Sequence, residues 1–221
     1  MIACRGWVRL VLMLVAAVLF ASLSPGRAAP TVRLGFRVFA LEPISTLQYR
    51  PKLNAPFVEL TWPSAEASRM FEYVGPAELT IMRGGESPSA VARFSIPLDC
   101  RRAWLILGRS GGTDRVDGLL VPIGADDHAS PHLRCINLSG RSVFIESGDM
   151  RHELASPAAD LIPSAGTATL QISVKTRGHW RRVSQLDLQA ADGAAAAVVL
   201  FPPFREGELQ PQVRIIYDQL E

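Results

Sequence analysis

From Thr31 to Ala40 the chain alternates its side chains: Val32, Leu34, Phe36, Val38 and Ala40 fall on one side, Arg33, Gly35 and Arg37 on the other. Successive side chains of a strand point to opposite faces, so a period of two predicts a β-strand with one face in a core. The pattern returns throughout the chain. Pro131 to Ser147 reads as strand, tight turn, strand. There Leu133, Cys135 and Asn137 alternate with Arg134, Ile136 and Leu138, Ser139-Gly140 turns the chain, and Val143 and Ile145 share a face beyond it. Short strands also read at Leu47–Tyr49, Phe57–Trp62, Ala77–Met82, Ala90–Ile96, Ala168–Lys175, Trp180–Gln189, Ala194–Phe201 and Gln212–Tyr217. Pro51, Pro56, Asp192-Gly193 (a hairpin signal) and Pro202-Pro203 punctuate them. Ala103–Leu107 and Leu119–Ile123 are apolar at every other position and between, which predicts central strands covered on both faces. Only Ser64 to Tyr73, ended by Gly75-Pro76, reads as a turn or two of helix. About a dozen short strands with almost no amphipathic helix predict an all-β, antiparallel β-sandwich fold.

The first 28 residues stand apart. Arg5 and Arg9 form a positive start, Val8–Leu23 is apolar but for Arg9 and Ser22, and Ser24-Pro25-Gly26 leads to the small-residue site Gly26-Arg27-Ala28. That order is a signal peptide, cleaved near Ala28, and it predicts export to the periplasm or medium. The run is short for a permanent span, which needs roughly 20 apolar residues, so no membrane span is expected after cleavage. An uncleaved anchor is the alternative. Cleavage removes three of the 23 basic residues and none of the 21 acidic ones, leaving a net charge of −1. A balanced exported chain is not a nucleic-acid binder, and none is expected.

The remaining 193 residues have room for two small sandwiches or one large one. Gly124 to Pro131 is polar and turn-rich between apolar strands, and each side of it opens on an arginine-bearing strand, Val32-Arg33-Leu34 and Leu133-Arg134-Cys135. This faint repeat predicts two packed tandem immunoglobulin-like sandwiches, residues 29–124 and 125–221; a single large sandwich is the alternative.

Beyond Val32-Arg33-Leu34, the chain carries Leu47-Gln48-Tyr49, Tyr73-Val74-Gly75-Pro76 and Arg134-Cys135-Ile136-Asn137-Leu138-Ser139. It closes with Val199-Leu200-Phe201-Pro202-Pro203 and Val213-Arg214-Ile215-Ile216-Tyr217-Asp218. In these elements it resembles uncharacterised secreted all-β proteins of Gram-negative bacteria. The resemblance implies fold and compartment, and it implies no activity.

Few residues suggest chemistry. Gly108-Arg109-Ser110-Gly111-Gly112 has the Gly-x-Ser-x-Gly spacing of a nucleophile elbow, with Asp127 and His132 following in the order of a triad. An elbow needs a strand before the serine and a helix after it; the strand is present and a second strand follows instead of the helix. A glycine-rich hairpin loop explains the same residues. Asp126, Asp127, His128 and His132 offer two carboxylates and two imidazoles to a divalent metal, but Pro131 breaks the helix on which histidines four apart would converge. No metal and no cofactor is expected. Arg101-Arg102 beside Trp104 and Arg181-Arg182 beside Trp180 read as strand packing before they read as a basic-aromatic patch. Cys100 and Cys135, the thiols left after cleavage, form a disulfide candidate in an oxidising compartment. The expectation is a non-catalytic envelope protein that binds a protein partner or a polysaccharide, with a serine hydrolase built on Ser110 as the alternative.

Overall fold

The computed structural model describes residues 30–219 apart from 42–43, 45, 63–66, 110–115, 125–131, 164–166 and 190–193. Strands of the first half are β1 (Thr31–Ala40), β2 (Leu47–Tyr49), β3 (Val58–Glu59), β4 (Phe71–Pro76), β5 (Glu78–Arg83), β6 (Ser89–Ser95), β7 (Arg102–Arg109) and β8 (Val116–Pro122). The second half supplies β9 (His132–Asn137), β10 (Val143–Ser147), β11 (Met150–Leu154), β12 (Ala158–Pro163), β13 (Thr167–Thr176), β14 (His179–Gln189), β15 (Ala194–Phe201) and β16 (Gln212–Gln219). The protein is all-β, and no helix occurs among the described residues.

Four four-stranded sheets result, in the orders β4-β1-β7-β8, β3-β2-β5-β6, β12-β9-β15-β16 and β11-β10-β13-β14. Adding eight to each strand number of the first two sheets gives the last two. Orientation repeats as well: β1 runs parallel to β7 and β9 parallel to β15, while the other pairings are antiparallel. The faint sequence repeat is thus a full repeat of strand order.

Side-chain alternation explains how the sheets stack. From β1, Val32, Leu34, Phe36, Val38 and Ala40 enter one core with Leu47, Tyr49, Leu79 and Ile81 of the sheet β3-β2-β5-β6. Leu133 and Cys135 of β9 enter a second core with Val143, Ile145, Leu170, Ile172 and Val174 of the sheet β11-β10-β13-β14. A third core joins the two sheets that remain: Phe39, Trp104, Ile106 and Val121 meet Ile136, Val199, Phe201 and Ile216. The sheets containing β1 and β9 are therefore inner sheets, and those containing β2 and β10 are outer. β7 is apolar throughout because Ala103, Leu105 and Leu107 face the first core while Trp104 and Ile106 face the third. Burying both faces of such strands supplies most of the drive for stacking, at about 25 cal/mol per Å² of apolar surface.

Several expectations change. Phe71 and Tyr73 belong to a strand instead of a helical turn; Phe71, Tyr73 and Gly75 are buried in alternation with exposed or half-buried neighbours. β8 is covered on both faces yet stands at a sheet edge. β9 and β10 form no hairpin, since they pair in different sheets. The same holds for β14 and β15, which flank Asp192-Gly193. Ser139-Gly140, with Gly140 at a φ of 78°, turns the chain from an inner to an outer sheet. The Cys100–Cys135 disulfide does not form. Both cysteines are free and buried, Cys100 in the first core and Cys135 in the second, with an inner sheet on either side of the third core between them.

Candidate binding groove

A solvent-facing groove of about 390 Å³ lies against the first outer sheet. It begins with strand alternation. In β5, Leu79 and Ile81 point into the core, so Glu78, Thr80 and Met82 point out and line the groove. β2 ends at Tyr49 because Pro51 cannot continue a ladder, and the chain then swings out as a loop. The Val74 N–H donates to the Pro51 carbonyl at 2.8 Å and the Ala55 N–H to the Lys52 carbonyl at 3.0 Å. Arg50 braces the loop from within: its guanidinium lies 4.5 Å from the centre of the Phe57 ring, and its Nη1 donates to the Leu53 carbonyl at 3.1 Å. Leu53 is left 68% exposed at the rim.

Tyr73 forms the opposite wall. Its hydroxyl donates towards the Pro76 carbonyl at 3.0 Å and the Glu78 carbonyl at 2.9 Å, tying the β4–β5 turn. The ring lies back along its own strand because residue 75 is glycine; a Cβ there would stand 2.6 Å from the Tyr73 hydroxyl. Burial, then the nearby Glu78 charge, pushes the Tyr73 phenol up, so it stays a neutral donor. Glu78 itself is 4.0 Å from the exposed Arg93. Arg50 and Lys52 thus give the groove a positive excess over an apolar floor of Phe57 and Met82.

The second outer sheet carries a different surface. Phe144 and the half-exposed Trp180 pack with ring centres 5.4 Å apart, and the Lys175 ammonium lies 5.2 Å from the Trp180 ring. Lys175 pairs with Glu153 at 3.6 Å and Arg151 with Glu146 at 3.3 Å, and the exposed Arg181 and Arg182 follow Trp180 on β14. Trp104, by contrast, is core: it is 2% exposed, and its indole nitrogen has no hydrogen-bond partner among the described residues.

Ser110, Asp126, Asp127 and His128 lie outside the described residues. The strand before the serine is β7, and β8 follows from Val116. His132 opens β9, where its backbone pairs with Pro163. The Nε2 of His152 stands 2.8 Å from Asp160 Oδ2. Among the described residues, no group of three or more His, Cys, Asp or Glu comes together to hold a metal. Sequence reasoning passed over the groove. Its one local signal is Arg50-Pro51-Lys52-Leu53, two cations held apart by a proline beside an apolar residue.

No protein-family model matches the chain, and no curated protein is similar enough in sequence to count as a match.

Proposed function

We propose that the protein is an exported, non-catalytic module of the Gram-negative envelope that binds a partner, a protein or a wall polymer, through the exposed face of a sheet. The observation that carries this reading is the groove, where two cations border an open apolar floor on an outer sheet. A concave apolar floor with a few converging polar groups is the usual form of a binding site. Export rests on the Arg5/Arg9, Val8–Leu23 and Gly26-Arg27-Ala28 pattern. Crosslinking in intact cells followed by pulldown tests the binding role: a defined envelope component should be enriched over a control exported protein. Capture of nothing would sink it. Covalent labelling of Ser110 by a fluorophosphonate would replace it with acyl-transfer chemistry.

A further inference from the structure

Resting on that reading, we infer that the groove takes an extended acidic segment of a partner protein, with an apolar side chain on Phe57 and Met82 and a carboxylate beside Lys52. Three features favour this occupant. First, charge is complementary. Arg50 and Lys52 line the groove against a single carboxylate, Glu78, which already has Arg93 within 4.0 Å. Arg50 is held over Phe57, whereas Lys52 is exposed and has no ion pair among the described residues, so its ammonium is ready for an incoming anion. Second, the volume of about 390 Å³ holds one or two side chains and not a folded domain. Third, the groove is prebuilt. The Tyr73 hydroxyl and the Val74–Pro51 backbone bond fix its two walls, which lowers the ordering cost of binding.

Fluorescence anisotropy with three labelled hexapeptides tests the inference on the full exported chain: glutamate alternating with leucine, lysine with leucine, and serine with leucine. The acidic peptide should bind saturably and about ten-fold more tightly than the other two, and should weaken as salt rises. Lys52→Glu should weaken it by about ten-fold or more, while Lys175→Glu on the other outer sheet should change nothing. Both lysines are exposed, and a urea unfolding curve for each variant confirms that it folds. Equal binding of the three peptides overturns the inference, as does an unchanged Lys52→Glu protein. Binding to phosphatidylglycerol vesicles without peptide binding overturns it in favour of a lipid surface. If Lys52→Glu still captures the same partner from the envelope, the module reading stands and the groove assignment falls. If wild type captures no partner yet binds the acidic peptide through Lys52, the groove assignment stands without the envelope role.

Discussion

The side-chain amide of Asn137 donates to the carbonyl of Leu154 at 2.9 Å, joining the end of β9 in an inner sheet to the end of β11 in an outer one. The same nitrogen reaches the carbonyls of Arg141 at 2.8 Å and Ala155 at 3.0 Å. Asn137 Oδ1 accepts from the Ser139 backbone N–H at 3.0 Å and from the Ser139 hydroxyl at 2.7 Å. One fully buried side chain therefore satisfies the corner where the chain changes sheets. Asn137→Ala should destabilise by about 3 kcal/mol, since it strands the buried Leu154 carbonyl and the buried Ser139 N–H and frees the part-buried carbonyls of Arg141 and Ala155. Ser139→Ala should cost about 1 kcal/mol. Urea unfolding measures both, and a small loss for Asn137→Ala would mean that water replaces the amide.

Phe36 sits at the centre of the first core, 5.2 Å from the Tyr49 ring and 5.7 Å from the Phe71 ring. Phe36→Ala should cost roughly 3–5 kcal/mol through transfer and cavity terms. On the edge strand β16, Ile215 is only half-buried against the second core, whereas Ile216 is buried in the third. Ile215→Ala should therefore cost clearly less than Ile216→Ala, and the reverse order would place β16 with its faces exchanged.

Gly75→Ala places a methyl group 2.6 Å from the Tyr73 hydroxyl, so the ring must leave its two carbonyl partners. A loss of about 1–3 kcal/mol is expected from the overpacking alone. Because the ring is also a groove wall, acidic-peptide binding should weaken in parallel. Full retention of both properties would show that the turn accommodates the methyl group.

The thiols make two predictions. Native protein should react slowly with iodoacetamide, and denatured, unreduced protein should take up two equivalents from Cys100 and Cys135, both of which are free and buried. Burial, then the charge of Asp160, pushes the Cys135 thiol from 9.0 up to about 12, and burial raises Cys100 as well. Below pH 9 both states keep the proton and stability is unaffected. Between 9 and 12 the unfolded chain releases it and the folded chain does not, so Cys135 favours unfolding by about 1.4 kcal/mol per pH unit. Cys135→Ala should flatten the decline across that window, whatever its cost at neutral pH. An unchanged slope would show that other groups set the alkaline limit.

Local pattern alone determined the strands and their inward faces. Val32 to Ala40, Val143 with Ile145, and Leu170 with Val174 alternate in sequence as they do in the cores, because a strand's period of two is a property of the backbone. Residues 103–107 even announced burial on both sides. Which strands pair was decided only in three dimensions. Ser139-Gly140 looks like a hairpin turn, yet the chain there crosses between sheets, and the difference lies in Asn137 reaching Leu154, seventeen residues away. Phe71 and Tyr73 were read as helix because a short apolar run fits either period until a partner strand selects one. The two cysteines looked pairable because sequence holds no record of the inner sheets that stand between their cores. The groove was the least legible feature. Arg50, Lys52, Phe57, Tyr73 and Met82 come from a loop and two strands, and only packing of that loop against β4 and β5 brings them to one surface.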